Sequence, residues 1–224
     1  MPRVARVVIP GCPHHVTQRG NNRQDVFFTD DDRRAYLEIL REQCERFGLG
    51  VQAYCLMTNH IHLVATPATG ESLAKAVGRT NWRYAQHVNR WHARSGHLWQ
   101  NRFYSCPLDE QHFWTAVTYV ERNPVRAGVV RVAWEYAWSS AGAHVGGSDR
   151  SGLLDIAQWR EWLPRAGDWR EALGRPGEAG RVEQLRGATI AGRPLGSDDF
   201  IAKLETAIGR RLRRLPVGRP KRRN

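Results

Sequence analysis

Two apolar runs separated by only two residues constrain the fold of this chain more than any other feature. Residues 49–57 and 60–66 each have the length and composition of a β-strand, and the Thr-Asn pair between them suits a tight hairpin turn. Side chains alternate across a strand, so His60 and His62 are predicted to project from one face. The residues between and beside them then anchor the other face in a core.

Strand and helix patterns alternate on both sides of this hairpin. The predicted order is a strand, a helix, the hairpin, a helix, a strand and a final helix, at residues 14–20, 30–47, 49–66, 71–95, 98–108 and 110–123. Thr29 and Asp32 form a capping-box pattern before the first helix. This order predicts an α+β protein with a ferredoxin-like split βαβ unit, in which helices pack on one face of an antiparallel sheet.

The composition changes after about residue 145, where the chain becomes rich in Gly, Ser and Arg. We therefore expect a catalytic domain at residues 1–145 and a basic C-terminal extension at residues 146–224. Eight of the 34 basic residues lie in 210–224, which contains no acidic residue. Residues 1–209 carry 26 basic against 22 acidic side chains, so the body of the protein needs its own evidence for binding a polyanion.

Composition also restricts the class of protein. The chain has 224 residues, is 41% hydrophobic and has a formal net charge of +12, which favours a nucleic-acid partner. No apolar run approaches the roughly 18 residues of a membrane span, and no signal-peptide pattern is present, so we expect a cytoplasmic protein with no membrane partner. The four cysteines are scattered without a C-x-x-C pair, which argues against a structural zinc site.

The pair His60 and His62 can bind one divalent cation through two imidazole nitrogens on one strand face. The pattern H-x-H is weak by itself, because two exposed histidines on an edge strand produce the same spacing. The final helix adds a second signal. Its buried face is predicted to contain Phe113, Val117 and Val120, while Tyr119 and Asn123 lie four residues apart on a neighbouring face and can reach a common site. The alternative is that Tyr119 packs at the core edge and Asn123 only precedes Pro124.

Four stretches resemble a known family, the HUH single-strand transposases of the IS200/IS605 type, and within it the REP-associated tyrosine transposases. These stretches lie between residue 9 and about residue 131 and read PGCPHHVTQRGNNRQDVFF, CLMTNHIHLVATP, HLWQNRFYSCPLD and YVERNPVRAGVV. The resemblance implies that His60, His62 and Asn123 hold Mg²⁺ or Mn²⁺ and that Tyr119 is the nucleophile. Glu121 and Gln111 can also approach such a metal.

The resemblance further implies a reaction. Tyr119 would attack a DNA phosphate, keep the 5′-phosphate in a covalent phosphotyrosine and release a 3′-hydroxyl, with hairpin or single-stranded DNA as the substrate. Two alternatives are a catalytically silent DNA-binding regulator with the same fold and a nuclease that hydrolyses DNA with activated water. We expect a monomer or weak dimer that is associated with the nucleoid.

Candidate DNA contacts come from basic side chains near aromatic rings, because phosphates bind arginine and unpaired bases stack on rings. The helix at 71–95 is predicted to bury an apolar face that ends at Trp91 and to expose a basic stripe on the opposite face. The candidate contacts are Arg19, Arg23, Lys75, Arg79, Arg83, Arg90, Arg94, Arg102 and Arg219. The stretch VGRPKRR around Arg219 resembles an AT-hook, although a disordered basic tail would have the same composition.

Overall fold

The computed structural model describes residues 6–213 and contains a four-stranded sheet with helices on both sides. The first seven main elements are β1 (His14–Arg19), α1 (Asp30–Phe47), β2 (Leu49–Met57), β3 (His60–Pro67), α2 (Ser72–Trp91), β4 (Tyr104–Pro107) and α3 (Glu110–Glu121). The strand order is β2-β3-β1-β4, and every neighbouring pair is antiparallel. The α+β class and the ferredoxin-like split βαβ topology are therefore confirmed.

Local sequence signals set several of these boundaries. The Thr29 hydroxyl accepts a hydrogen bond from the Asp32 backbone N–H, and the Asp32 carboxylate accepts one from the Thr29 backbone N–H, which completes the predicted capping box of α1. Gly48 ends α1 with a left-handed φ of 62°, a conformation that costs glycine little. In the hairpin, Met57 pairs with His60, so Thr58 and Asn59 form the turn as predicted.

Strand alternation divides the core into two layers. On one face, side chains of α1 and α2 pack against alternate strand residues, including Tyr36, Leu40, Leu73, Val77, Val16, Ile61 and Leu63. On the opposite face, α3 packs on the other strand residues, including Phe113, Val117, Cys55, Val64 and Cys106. The sequence predicted helices on one face of the sheet, whereas the structure has helices on both faces. The two crossover helices share one face, which we call the closed face, and α3 covers the other, which we call the site face.

Two predicted boundaries were wrong. Strand β4 spans only Tyr104–Pro107, and the predicted strand residues before it are irregular apart from a single bridge between Trp99 and Gly20. Helix α2 ends at Trp91, and that side chain is 74% exposed rather than part of the apolar face. In both cases the periodic pattern of apolar residues in the sequence extends beyond the residues whose backbone is hydrogen-bonded in the strand or the helix.

The remaining helices are short and follow α3. They are α4 (Asn123–Arg126), α5 (Ala141–His144), α6 (Ile156–Trp162), α7 (Trp169–Gly174), α8 (Ala179–Ala191) and α9 (Asp198–Ile208). Helix α8 packs against β4 and α3, and its Leu185 is fully buried in the same core layer as Phe113. The proposed division at residue 145 stays a prediction, but residues after that division complete the core layer of the site face.

In the part of the chain from residue 6 to residue 213, no helix is long and apolar enough to cross a membrane. Arg219 and the VGRPKRR stretch lie outside the described residues. All four cysteines are free, in agreement with their scattered spacing, and three of them are buried.

Candidate active site

Strand β3 places the two histidines of the H-x-H motif on the site face. Ile61 and Leu63 are fully buried in the closed-face layer, so His60 and His62 project to the opposite side as the alternation predicts. His62 is 5% exposed, and its ring makes an edge contact with the His60 ring at 5.1 Å between centroids. The hairpin therefore presents two neighbouring imidazoles to the layer beneath α3.

The end of α3 brings Tyr119 and Asn123 to the same place. Helix α3 ends at Glu121, and Asn123 is the first residue of α4, where Pro124 has no N–H to continue the α3 ladder. The Tyr119 ring lies edge-on to the His62 ring at 5.3 Å between centroids. The Asn123 Nδ2 donates a hydrogen bond to His60 Nε2 at 3.4 Å. The two predicted residues thus meet the two histidines across the end of one helix and the start of the next.

These four side chains line one cavity of about 400 Å³. Its wall combines residues from β1, β3, β4, α3, α4 and α8 with the loop before β4: His15, Thr17, Gln18, Arg19, His60, His62, Gln100, Tyr104, Tyr119, Asn123, Arg126, Arg186, Thr189 and Ile190. Arg19, Arg126 and Arg186 make the wall cationic. A phosphate group has the charge and the size to enter such a site.

A fixed hydrogen-bond partner orients His60. Its Nδ1 lies 2.6 Å from Asn59 Oδ1, and the Asn59 amide nitrogen donates to the backbone carbonyl of Arg23 at 3.2 Å. Because Asn59 already donates through nitrogen, its oxygen accepts the proton on His60 Nδ1. The unprotonated Nε2 of His60 therefore faces Asn123 and the cavity.

Burial keeps the imidazoles neutral. Desolvation, assisted by the positive charges of Arg19 and Arg126, lowers the pKa of His60 to about 4. Burial also lowers the pKa of His62 well below its usual value, and the neighbouring rings of His15 and His60 add to that shift. A metal ligand must be a neutral imidazole with a free nitrogen lone pair, so the environment suits ligation at neutral pH.

The donor set fits a divalent cation. In the described chain, no three or more His, Cys, Asp or Glu side chains cluster closely enough to hold a metal, so a cation here depends on two imidazoles and an amide. The Asn123 oxygen accepts a hydrogen bond from Arg126 at 3.1 Å, and its nitrogen faces His60. Turning this amide by half a rotation gives up the hydrogen bond from Arg126, points the oxygen at His60 Nε2 and leaves the backbone in place.

Two of the predicted alternatives are located elsewhere. Glu121 is fully buried beneath α3, where Ser140 and the Trp169 Nε1–H donate to its carboxylate and His144 Nδ1 lies 2.5 Å away. Gln111 is at the opposite end of α3 from Tyr119 and does not line the cavity. Neither residue competes with Asn123 for the position beside the histidines.

The comparison with protein families decides the identity. A family model described as IS200-like transposase matches residues 9–123, which is 115 of the 224 residues. This chain belongs to the IS200-like transposase family. The matched range contains the histidine pair, Tyr119 and Asn123. Members of this family are DNA-cleaving enzymes of DNA transposition, and they generally use a divalent metal ion.

Comparison with solved structures gave two similar proteins, of which the first shares this fold. A REP-associated tyrosine transposase bound to a REP hairpin superposes with a TM-score of 0.53 and 20% identity, covering 70% of this chain and 90% of that chain. A protein from Deinococcus radiodurans described as a candidate transposase has 21% identity and a TM-score of 0.37, covering 54% of this chain and 97% of that chain. The search of curated proteins returned no match.

Several residues of this transposase site were missed by sequence reasoning. His15 lies 3.0 Å from His62 through ring nitrogens, and Thr189 of α8 lies 2.7 Å from the other nitrogen of His15. The guanidinium of Arg126 covers the Tyr119 ring at 4.2 Å. The alternation of β1 could have found His15, because it shares a face with Thr17 and Arg19. No local pattern pointed to Thr189.

The predicted DNA contacts fall into two groups in the transposase. Arg19 lines the cavity that contains His60, His62, Tyr119 and Asn123, and Arg102 lines an adjoining cavity of about 280 Å³ with Arg6 and Tyr104. Arg23 is exposed in the turn after β1. The five basic residues of the helix at 71–95 belong to the closed-face side, and none of them lines the cavity that contains Tyr119: Lys75, Arg79, Arg83, Arg90 and Arg94.

Most of that basic stripe has local partners. Lys75 pairs with Glu71 and Arg83 pairs with Glu42 of α1, while Arg79 lies over the Phe47 ring at 5.2 Å. Arg94 is beyond the end of α2, where it donates to Gln24, and Arg90 is exposed on the last turn. The role of these five residues in DNA binding stays a prediction, and none of them lines the cavity that contains Tyr119.

Proposed function

We propose that this transposase cleaves single-stranded DNA beside a hairpin through a covalent 5′-phosphotyrosine on Tyr119, with Mg²⁺ or Mn²⁺ held by His60, His62 and Asn123. The observation that carries the proposal is the convergence of these four residues in one cationic cavity. They come from a strand and a helix end that are about 60 residues apart in the chain. Structural roles alone do not require two neutral imidazoles, a phenol and an amide to face the same space.

The side chains divide the chemistry between them. A cation held by His60, His62 and Asn123 would supply Lewis-acid stabilisation of the charge on the phosphate oxygens. Tyr119 forms a bond from its phenolic oxygen to phosphorus while the bond to the 3′-oxygen breaks, and the proton lost by the phenol is matched by one gained at the departing oxygen. Arg126, which already contacts Tyr119 and Asn123, is positioned to hold the scissile phosphate against the nucleophile.

Two neighbouring cavities support a single-stranded substrate. The cavity containing Arg6, Arg102 and Tyr104 adjoins the catalytic one through shared residues of β4 and α8. On the other side, a cavity of about 650 Å³ shares Tyr119 and Arg126 and adds four arginines, Arg122, Arg165, Arg175 and Arg181. A strand crossing all three would pass cationic walls and the exposed ring of Tyr104. The similar transposase bound to a REP hairpin supports a hairpin as the feature beside the cleavage point.

The deciding experiment is adduct formation. The full-length protein is incubated with single-stranded DNA containing a hairpin and with Mg²⁺, and the products are separated under denaturing conditions. We expect a protein–DNA adduct that chelator prevents and that peptide mass spectrometry maps to Tyr119, and we expect none with Tyr119→Phe. Binding without any adduct favours the catalytically silent regulator, and cleavage without an adduct favours hydrolysis by water. Action as a monomer or weak dimer and association with the nucleoid stay predictions.

A further inference from the structure

A chain of hydrogen bonds connects helix α8 to the histidine pair. The Thr189 hydroxyl lies 2.7 Å from the backbone carbonyl of Leu185 and 2.7 Å from His15 Nδ1. His15 Nε2 lies 3.0 Å from His62 Nδ1. Thr189 and His15 are each about 1% exposed, so bulk water does not compete for these contacts.

The direction of every proton in this chain follows from its first link. A backbone carbonyl only accepts, so the single hydroxyl proton of Thr189 goes to Leu185. The hydroxyl oxygen must then accept from His15, which places the proton of that ring on Nδ1 and leaves Nε2 with a lone pair. His15 Nε2 therefore accepts from His62 Nδ1–H. The remaining nitrogen of His62, Nε2, carries no proton.

Neighbouring groups are consistent with this direction. The Cys106 thiol lies 3.2 Å from the Thr189 oxygen, which has a second lone pair to accept from it. The His15 and His62 rings are nearly parallel, with 12° between their planes and 5.2 Å between centroids, which is compatible with a hydrogen bond between ring edges. Both rings meet the Tyr119 ring edge-on, at 5.7 Å and 5.3 Å between centroids. This chain of hydrogen bonds thus ends at His62, whose ring contacts the ring of Tyr119.

We propose that α8, through Thr189 and His15, holds His62 in the tautomer that presents its unprotonated Nε2 to a divalent cation. Thr189 and His15 are positioning residues, because they act through His62 and not on the DNA. The idea rests on the proposed function in that a cation is the ligand of His62. It also makes residues 179–191, which lie outside the range that matches the family model, part of the catalytic apparatus.

The proposal explains why the two histidines have different supports. His60 is oriented by Asn59 from its own hairpin, so its tautomer is set within two neighbouring residues. His62 has no such neighbour. It depends on His15, which lies 47 residues earlier in the chain, and His15 depends in turn on Thr189, 174 residues after His15. Supports of this kind around a ligating histidine change metal affinity by about 10-fold to 100-fold when removed.

The test is the tautomer of His62 in protein free of metal and DNA. Long-range ¹H–¹⁵N correlation spectra of the full-length protein distinguish Nδ1–H from Nε2–H in each ring. We expect Nδ1–H at His62 and at His15 in the native protein and in Thr189→Ser, which keeps the hydroxyl. In Thr189→Val, which keeps the shape and loses the hydroxyl, we expect His62 to become a mixture of tautomers.

A second measurement uses Mn²⁺ alone as the probe. Electron paramagnetic resonance titration should give a dissociation constant about 10-fold to 100-fold larger for Thr189→Val than for the native protein, with Thr189→Ser close to native. A native His62 protonated on Nε2 would overturn the proposal even if no variant folded. So would Thr189→Val with an unchanged tautomer and Mn²⁺ affinity. Because the tautomer is read without DNA, its outcome is independent of whether the protein forms the Tyr119 adduct.

Discussion

The two faces of the sheet use aromatic and polar residues in opposite ways. On the closed face, Tyr36 and Tyr84 are fully buried, and their hydroxyls donate to Asn81 and to the backbone carbonyl of Val26. On the site face, Tyr119 is also nearly buried, yet it lines an open cavity beside His62. Similar burial therefore has different consequences. On one face both tyrosine hydroxyls have partners within the protein, and on the other Tyr119 and the histidines converge on a space that a ligand can fill.

Adjacent residues on a single strand test this comparison most directly. His62→Ala should reduce DNA cleavage by at least about 10³-fold, because it removes a proposed metal ligand and with it several kcal/mol of transition-state stabilisation. Leu63→Ala, on the closed face, should cost about 2–5 kcal/mol of unfolding free energy and leave cleavage per folded molecule intact. Adduct assays and urea unfolding of both variants measure the two effects. Full cleavage by His62→Ala would make the histidine pair structural.

Arginines on the two sides form a second pair. Arg126→Gln should lower the cleavage rate by about 10²-fold, the usual loss when one charged donor to a reacting oxyanion is removed. Arg41→Gln removes an exposed ion pair with Glu45 on α1 and should change neither cleavage nor stability by a measurable amount. Single-turnover rates at saturating protein separate the two variants. Equal rates for both would remove Arg126 from the reaction.

The consecutive histidines of β1 provide a test that depends on pH. His14 points away from His15 by strand alternation, and burial lowers its pKa to about 4. The unfolded state binds a proton near pH 6.5 while the folded state does not, so His14 destabilises the fold as pH decreases from 6.5 towards 4 and has no effect above 6.5. The cost is about 1.4 kcal/mol per pH unit, or about 10-fold in the unfolding equilibrium.

The His14→Asn variant isolates this contribution from the other buried histidines. Urea unfolding at pH 7.5, 6.0 and 5.0 should show a shallower loss of stability in the variant than in the native protein. Adduct formation at pH 7.5 should stay near the native level, because His14 does not line the catalytic cavity. Parallel pH profiles for the two proteins would show that His14 titrates normally.

The smallest expected effect concerns the basic stripe of α2. Replacing Arg79 and Arg90 together by Gln should weaken DNA binding slightly and reduce the slope of log affinity against log salt by about 0.7 for each single-strand phosphate contact that is lost. Cleavage of bound DNA should be unchanged, because neither residue lines the cavity that contains Tyr119. Fluorescence anisotropy at several salt concentrations measures the slope. An unchanged slope would identify the stripe as a solvated helix face with ion pairs to its neighbours.

Sequence alone determined the parts of this transposase that depend on neighbouring residues. The capping box at Thr29, the turn between β2 and β3 and the common face of His60 and His62 all follow from rules that act over a few residues. The pairing of Tyr119 with Asn123 followed from helical spacing, and both residues do reach one cavity even though the helix breaks between them. In these cases backbone geometry transmits a local pattern directly into space.

Only the tertiary structure decided which distant groups complete the site. The contact of His15 with Thr189 joins residues 174 positions apart, and the position of Arg126 over Tyr119 depends on how α4 turns after α3. The tertiary structure also decided that β4 is short and that Trp91 is exposed. At both places the apolar pattern of the sequence continues beyond the last residue that has a pairing strand or a packing partner. Periodicity reports which face of an element is apolar. It carries no information about which element will lie against that face, because that choice depends on the combined packing and hydrogen bonding of the whole chain.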